Sequence, residues 1–180
     1  RGNEQKTKDN LSVSGSIDLA SFFEPKYTLN VQGRDVYFET LPYDIKGLGN
    51  VDINISGKDT VRVAGTVEVL DGVIFQEFSF ADIGAAEPVA PDEILMDYKL
   101  NFPIKGDVVF RNSQIEAELS GEISLSQIGE YDIDYGGEVT VNNGSFFYYR
   151  DEFKGLSGQV FFDNKGFNPF LDLSAYRDVA

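Results

Sequence analysis

The 180-residue chain carries 15 basic and 30 acidic residues, and its net charge of −15 repels phosphate backbones and argues against nucleic acid as a partner. It contains neither cysteine nor histidine, which excludes disulfides, thiol chemistry, a Ser-His-Asp triad and an imidazole zinc site. The length suits one domain with a substantial core. There is no run of about 18 apolar residues that would read as a membrane helix. Arg1 in place of a starting methionine, and the ending at Val179-Ala180, suggest a piece of a longer chain.

In chain order, one pattern recurs: apolar and variable residues alternate on either side of a glycine. It appears as LSVSGSIDL around Gly15, VRVAGTVEV around Gly65, FPIKGDVVF around Gly106, AELSGEISL around Gly121 and IDYGGEVTV around Gly137. Strict alternation is the signature of a strand with one face hidden from water. Turn-forming residues separate the copies: Glu24-Pro25, Lys58-Asp59, Asp71-Gly72, Asn112-Ser113, Gln127 to Glu130, and Asn143-Gly144, whose dipeptide is a strong short hairpin signal. Residues 83–97 break the alternation with two closely spaced prolines and read as a loop or crossover. The expected fold is all-β: a long antiparallel meander, residues 1–180 as one domain, folded over its own apolar face.

The turns predict registers. A two-residue turn at Ser113-Gln114 puts Phe110 opposite Ala117, Val108 opposite Leu119, Gly106 opposite Gly121 and Ile104 opposite Ile123. A turn centred on Gly129 puts Gly121 opposite Gly137, Leu119 opposite Val139, Ile123 opposite Tyr135 and Leu125 opposite Ile133. A one-residue slip would set apolar against polar side chains, so the faces are well specified. In this register Gly106, Gly121 and Gly137 form a row. A type I′ turn at Asn143-Gly144 would then set Val139 opposite Tyr148 and leave aromatics on both faces of SFFYY (145–149). The glycine row has two readings: local accommodation of twist, bulges or bulky neighbours, or a channel or crease across the apolar face.

On the other face stand Glu116, Glu118, Glu122, Asp132, Asp134 and Glu138. Paired carboxylates can hydrolyse glycosides and clustered ones can hold calcium. Here no calcium-loop spacing and no tryptophan platform accompany them, and a wetted strand face accounts for them. A membrane-spanning β-barrel would orient the faces the other way, but the aromatics do not gather into two girdles.

The C-terminal half carries Gly-Glu-Val-Thr-Val-x-x-Gly-Ser-Phe at Gly137 to Phe146, Phe-x-Gly-Leu-Ser-Gly-x-Val-x-Phe at Phe153 to Phe162, and Asn-Pro-x-Leu-Asp-Leu-x-Ala at Asn168 to Ala175. In these strand and turn patterns, over roughly residues 104–180, the chain resembles the TamB C-terminal domain family of the translocation and assembly module. The resemblance implies a β-taco with a hydrophobic groove, located in the periplasm of a diderm bacterium as part of a protein anchored in the inner membrane. It further implies conduction of phospholipid toward the outer membrane, and assembly of outer-membrane proteins and autotransporters with a TamA-like barrel protein.

On that reading the stripe lines a groove for phospholipid acyl chains or outer-membrane protein clients, with Phe102, Ile104, Val108, Leu119, Ile123, Ile133, Tyr135 and Val139 near the glycine row Gly106, Gly121 and Gly137. The same residues would also serve as a closed core. No nucleophile with a base in reach can be named, so the expectation is a non-enzymatic protein with no cofactor and no metal. Two other functions compete: a β-sandwich module for carbohydrate or adhesion, and a chaperone that accepts client strands by β-augmentation.

Overall fold

Alternation over stretches of eight or more residues commits each segment to an extended backbone, and the segments find partners in nearly sequential order. The computed structural model describes residues 10–20, 26–40, 45–58, 60–75, 95–129, 131–165 and 169–178. They form one open sheet of nine strands: β1 (Leu11–Asp18), β2 (Lys26–Thr40), β3 (Ile45–Gly57), β4 (Thr60–Phe75), β5 (Leu95–Arg111), β6 (Ile115–Gln127), β7 (Asp134–Tyr148), β8 (Asp151–Asp163) and β9 (Phe170–Tyr176). Spatial order equals chain order, and β1 and β9 are the free edges. All nine belong to a single sheet, which differs from the two-sheet sandwich of the carbohydrate or adhesin alternative.

Seven of the eight neighbouring pairs are antiparallel, and β4 with β5 is parallel. The connection from Phe75 to Leu95 therefore returns the chain to the end of the sheet where β4 began. The loop or crossover expected over residues 83–97 lies outside the described residues, except for 95–97, which open β5. The turn expected at Glu24-Pro25 also lies outside them.

At the β5–β6 hairpin the expected turn is present. Asn112 N donates to Ile115 O at 2.8 Å, and the Asn112 Oδ1 accepts from the backbone of Gln114 (2.9 Å) and Ile115 (2.7 Å). Phe110 faces Ala117 and Val108 faces Leu119. Beyond Val108 the register shifts by two, so that Ile104 faces Gly121 and Phe102 faces Ile123. Between β6 and β7 the pairing is likewise offset by two from the expectation: Gly121 faces Val139, Gly137 faces Ile123, and Tyr135 faces Leu125. Asn143-Gly144 is no turn; it lies inside β7, opposite Glu118 and Ala117, and the hairpin closes at Tyr149-Arg150 instead. Extending β7 past Asn143 supplies partners for Ala117 and Ile115, which a turn there would have left unpaired. Asp71-Gly72 is likewise within β4.

The expected row of Gly106, Gly121 and Gly137 is therefore broken. Gly106 sits in the irregular stretch of β5, where a Cβ would run into the Leu70 carbonyl oxygen. Gly121 (φ +118°) and Gly137 (φ +111°) solve a different problem: each is pressed against the backbone of a branched residue, Val139 and Ile123 respectively, and a Cβ would meet the carbonyl of the preceding residue, Glu138 or Glu122. The same close approach recurs at Gly15, Gly65 and Gly158. The repeat glycines thus mark close backbone approach rather than an open channel.

A second regularity runs across the strands. Register shifts fall between Gly33 and Val36 in β2, Leu48 and Gly49 in β3, Val69 and Asp71 in β4, Ile104 and Val108 in β5, Glu118 and Leu119 in β6, and Lys154 and Ser157 in β8. Each lies beside the next, so they form a line transverse to the strands. A bulge bends its strand and sharpens the local twist; a line of them creases the sheet. The buried apolar residues follow that line: Ile104 and Val108 on β5, Ala117 on β6, Val139 and Val141 on β7, and Leu156 on β8. Ala117, Val141 and Leu156 pack together, ringed by Ile115, Leu119, Phe146, Val160 and Leu173. The core is the inner angle of the crease.

Substituting Gly121 by valine is expected to destabilise the chain by about 2 kcal/mol or more, because the side chain combines a disfavoured φ with a backbone clash. A urea midpoint for Gly121→Val equal to that of the parent chain would contradict the close-approach role.

Candidate functional site: a continuous apolar face

Register assigns every regularly paired residue to one of two faces. On one face lie Leu11, Val13 and Ile17 of β1, Leu29 and Val31 of β2, Val51, Ile53 and Ile55 of β3, and Val61, Val63 and Val67 of β4. The face continues through Leu100, Phe102, Ile104, Val108 and Phe110 of β5, Leu119, Ile123 and Leu125 of β6, Val139 and Val141 of β7, Val160 and Phe162 of β8, and Leu171 and Leu173 of β9. Within the regularly paired stretches the only charged residue on this face is Asp151, at the first position of β8, where Arg177 pairs with it at 2.8 Å.

Seven of the expected groove residues share this face: Phe102, Ile104, Val108, Leu119, Ile123, Tyr135 and Val139. Ile133 does not join them, because β7 begins at Asp134 and Tyr135 takes the place opposite Leu125; Ile133 is 37% exposed. Burial along the face is graded. Val108 and Val139 at the crease are 2% and 4% exposed, whereas Val13 and Leu171 on the two edge strands are 61% and 64% exposed. The apolar face is therefore closed along its floor and open toward its ends.

The opposite face carries the acids. Glu116, Glu118, Glu122, Asp134 and Glu138 lie on it, while Asp132 precedes β7 and is exposed. Arg111 bridges Glu116 at 2.6 Å, and the Gln159 amide donates to Glu138 at 2.7 Å. Glu122 and Glu138 stand directly opposite one another, an unfavourable pair that exposure to water weakens. Among the described residues no group of acids is placed to hold a metal ion. The chemistry this site offers is burial of apolar surface, at about 25 cal/mol per Å² removed from water.

A crease was one reading of the row Gly106, Gly121 and Gly137, but its course along the line of register shifts was not foreseen from the sequence. Its signal is a second set of glycines, outside the repeat centres: Gly33, Gly47, Gly49, Gly72 and Gly144 all lie beside the line of shifts. The Phe38 ring covers two of them, lying 3.0 Å from where a Cβ on Gly47 would be and 3.3 Å from that of Gly49.

Together these features define a class: an open all-β protein whose long strands bend along one line and present a continuous apolar face. The particular family follows from the sequence as a whole, since the family model of the TamB C-terminal domain matches residues 2–180, and the chain belongs to that family. The match extends to nearly the whole chain the resemblance seen over residues 104–180. The family is one of the bacterial envelope, associated with outer-membrane assembly, and the chain has a TamB-type role. No curated protein matches the chain.

Placing a carboxylate on the floor separates the two faces energetically. Val139→Asp would bury an unpaired charge at a site 4% exposed and is expected to cost about 3 kcal/mol or more. Glu118→Gln, on the exposed face, is expected to change stability by under about 0.5 kcal/mol. Equal urea midpoints for the two variants would contradict the assignment of faces.

Proposed function

We propose that the apolar face is a lipid-accessible groove, through which a periplasmic segment of an inner-membrane-anchored protein conducts phospholipid toward the outer membrane. In the same reading the segment supports assembly of outer-membrane proteins and autotransporters together with a TamA-like barrel partner, and it catalyses no reaction. The observation that carries this is one apolar face across nine consecutive strands of an unclosed sheet, whose single charge in the regularly paired stretches is the ion-paired Asp151, while acids crowd the other face. A core sealed by a second layer would need no such continuity out to the edge strands, whose apolar side chains are more than 40% exposed at Leu11, Val13, Ile17 and Leu171. Membership of the family supports the same role.

One observation favours a second occupant. β1 and β9 leave unpaired edges, and β1 is exposed along its whole length, which suits addition of a client strand by main-chain hydrogen bonds.

The test is photo-crosslinking in cells, with a photoreactive residue at Leu119 on the apolar face or at Glu118 on the acidic face. Lipid adducts at Leu119 and none at Glu118 are the expected result. A folded protein without adducts at either position would overturn the conduit, and protein adducts along β1 would favour the client-strand reading.

A further inference from the structure

We infer that the β7–β8 hairpin is a finger that docks on the surface of a phospholipid bilayer, with Tyr148 and Tyr149 seated among the headgroups. The inference does not depend on lipid entering the groove, because the finger projects from the end of the sheet, beyond the buried floor.

The finger exists because the hairpin runs past a turn that the sequence offers. Asn143-Gly144 stays within β7, and the chain reverses at Tyr149-Arg150 instead. Ladder pairing with β6 ends at Phe146, with one further bond from Phe147 N to Gln114 O at 2.7 Å, and pairing with β9 ends at Lys154. The tip is built from aromatic side chains. Phe146, packed against the core of Ala117, Val141 and Leu156, stacks on Tyr148 with ring centroids 6.3 Å apart, and Tyr148 meets Tyr149 edge-on at 4.7 Å. Tyr148 and Tyr149 are 54% and 92% exposed, and Phe147 on the opposite face is 43% exposed. Tyr149 also has a left-handed backbone, φ +55°, at a turn position that glycine or asparagine would occupy with less strain. A strained and nearly fully exposed ring serves neither the turn nor the core, which points to a contact outside the chain.

The chemistry of the tip fits a bilayer. Its rings stand on both faces of the hairpin and at the turn, whereas a groove in a partner protein, or a second copy, would cover one face. A lipid interface covers all sides at once, and tyrosine is enriched there because its ring is apolar and its hydroxyl finds polar partners. The reach agrees. Tyr148 and Tyr149, at about 3.3 Å per residue and with the last ring beyond them, extend about 10 Å past the β5–β6 turn. A headgroup layer is about 5–8 Å deep on each side of the hydrocarbon. Charge permits the approach as well. The chain carries −15, which an anionic surface would repel. Around the finger, Arg150, Lys154 and Arg177 balance Asp151, Glu152 and Asp178, with Arg177 bridging Asp151 at 2.8 Å and Lys154 bridging Asp178 at 3.6 Å. The finger is a locally neutral projection on an acidic molecule.

The test uses the full-length protein with an environment-sensitive fluorescent amino acid placed singly at Phe147, at Tyr149 or, on the acidic face within the sheet, at Glu122. Each is mixed with vesicles of phosphatidylethanolamine and phosphatidylglycerol whose acyl chains are brominated near the carbonyl, so that quenching reports contact with the upper hydrocarbon. Quenching at Phe147 and Tyr149 and none at Glu122 is the expected result. Tyr149→Gly is expected to keep or raise the urea midpoint, since glycine accepts the positive φ, while the lipid concentration that half-quenches the Phe147 probe rises about five-fold. No quenching at Phe147 and Tyr149, or equal quenching at all three positions, would overturn the finger and leave the groove, which is read at Leu119, untouched. A blue shift at Tyr149 that grows with protein concentration and ignores the vesicles would make a second copy the occupant and overturn the bilayer. Unchanged half-quenching in Tyr149→Gly, whatever its midpoint, would deny the ring any part in docking and overturn the role given to it.

Discussion

A sheet with one apolar face across all its strands must shield that face, and it can do so by stacking a second layer on it or by bending over it. This chain bends. The rest of the structure depends on that bend being cheap, and the cost is lowered by placing the irregularities of neighbouring strands side by side. A single bulge would strain the strands next to it; a contiguous line of bulges lets each strand turn with its neighbours. The small residues at the line, Gly47, Gly49, Gly72, Ala117 and Gly144, leave room for backbones to close on one another, and Phe38 fills the space over two of the glycines.

The graded burial follows from the same geometry. At the inner angle of the crease Ala117, Val141 and Leu156 pack with Ile115 and Phe146 on one side of the line and Leu119, Val160 and Leu173 on the other, and lose nearly all contact with water. Residues farther out face the opening, and those on the edge strands lack a neighbour on one side as well. Stability and accessibility are thus assigned to different parts of one face: the floor is buried, and the edges remain exposed. The acidic face complements this by keeping the exterior wetted and by making a second sheet of the same kind an unfavourable neighbour.

Glycine has two separate roles here. At Gly121 and Gly137 it permits a positive φ and lets a strand press against Val139 and Ile123 of its neighbour. At the crease, as at Gly106 against Leu70, it permits two backbones to approach where the pairing is irregular. The repeat pattern around Gly106 looks like the other copies in sequence but belongs to the second kind, because its strand lies against β4 at the point where both strands bulge.

What the amino-acid order determined by itself is the identity of the faces. The alternation in AELSGEISL and IDYGGEVTV already separates Leu119, Ile123 and Val139 from Glu118, Glu122 and Glu138, and the turn at Asn112 aligns Phe110 with Ala117. The tertiary structure decided which residue stands opposite which. A shift of two leaves every side chain on its own face, so the hydrophobic pattern cannot tell Gly121 opposite Gly137 from Gly121 opposite Val139. It decided also against two locally favoured turns, at Asp71-Gly72 and Asn143-Gly144, where continued pairing with a neighbouring strand outweighed the dipeptide's preference. The crease is of the same kind: each bulge is a local irregularity, and only pairing between strands distant in sequence sets them in line.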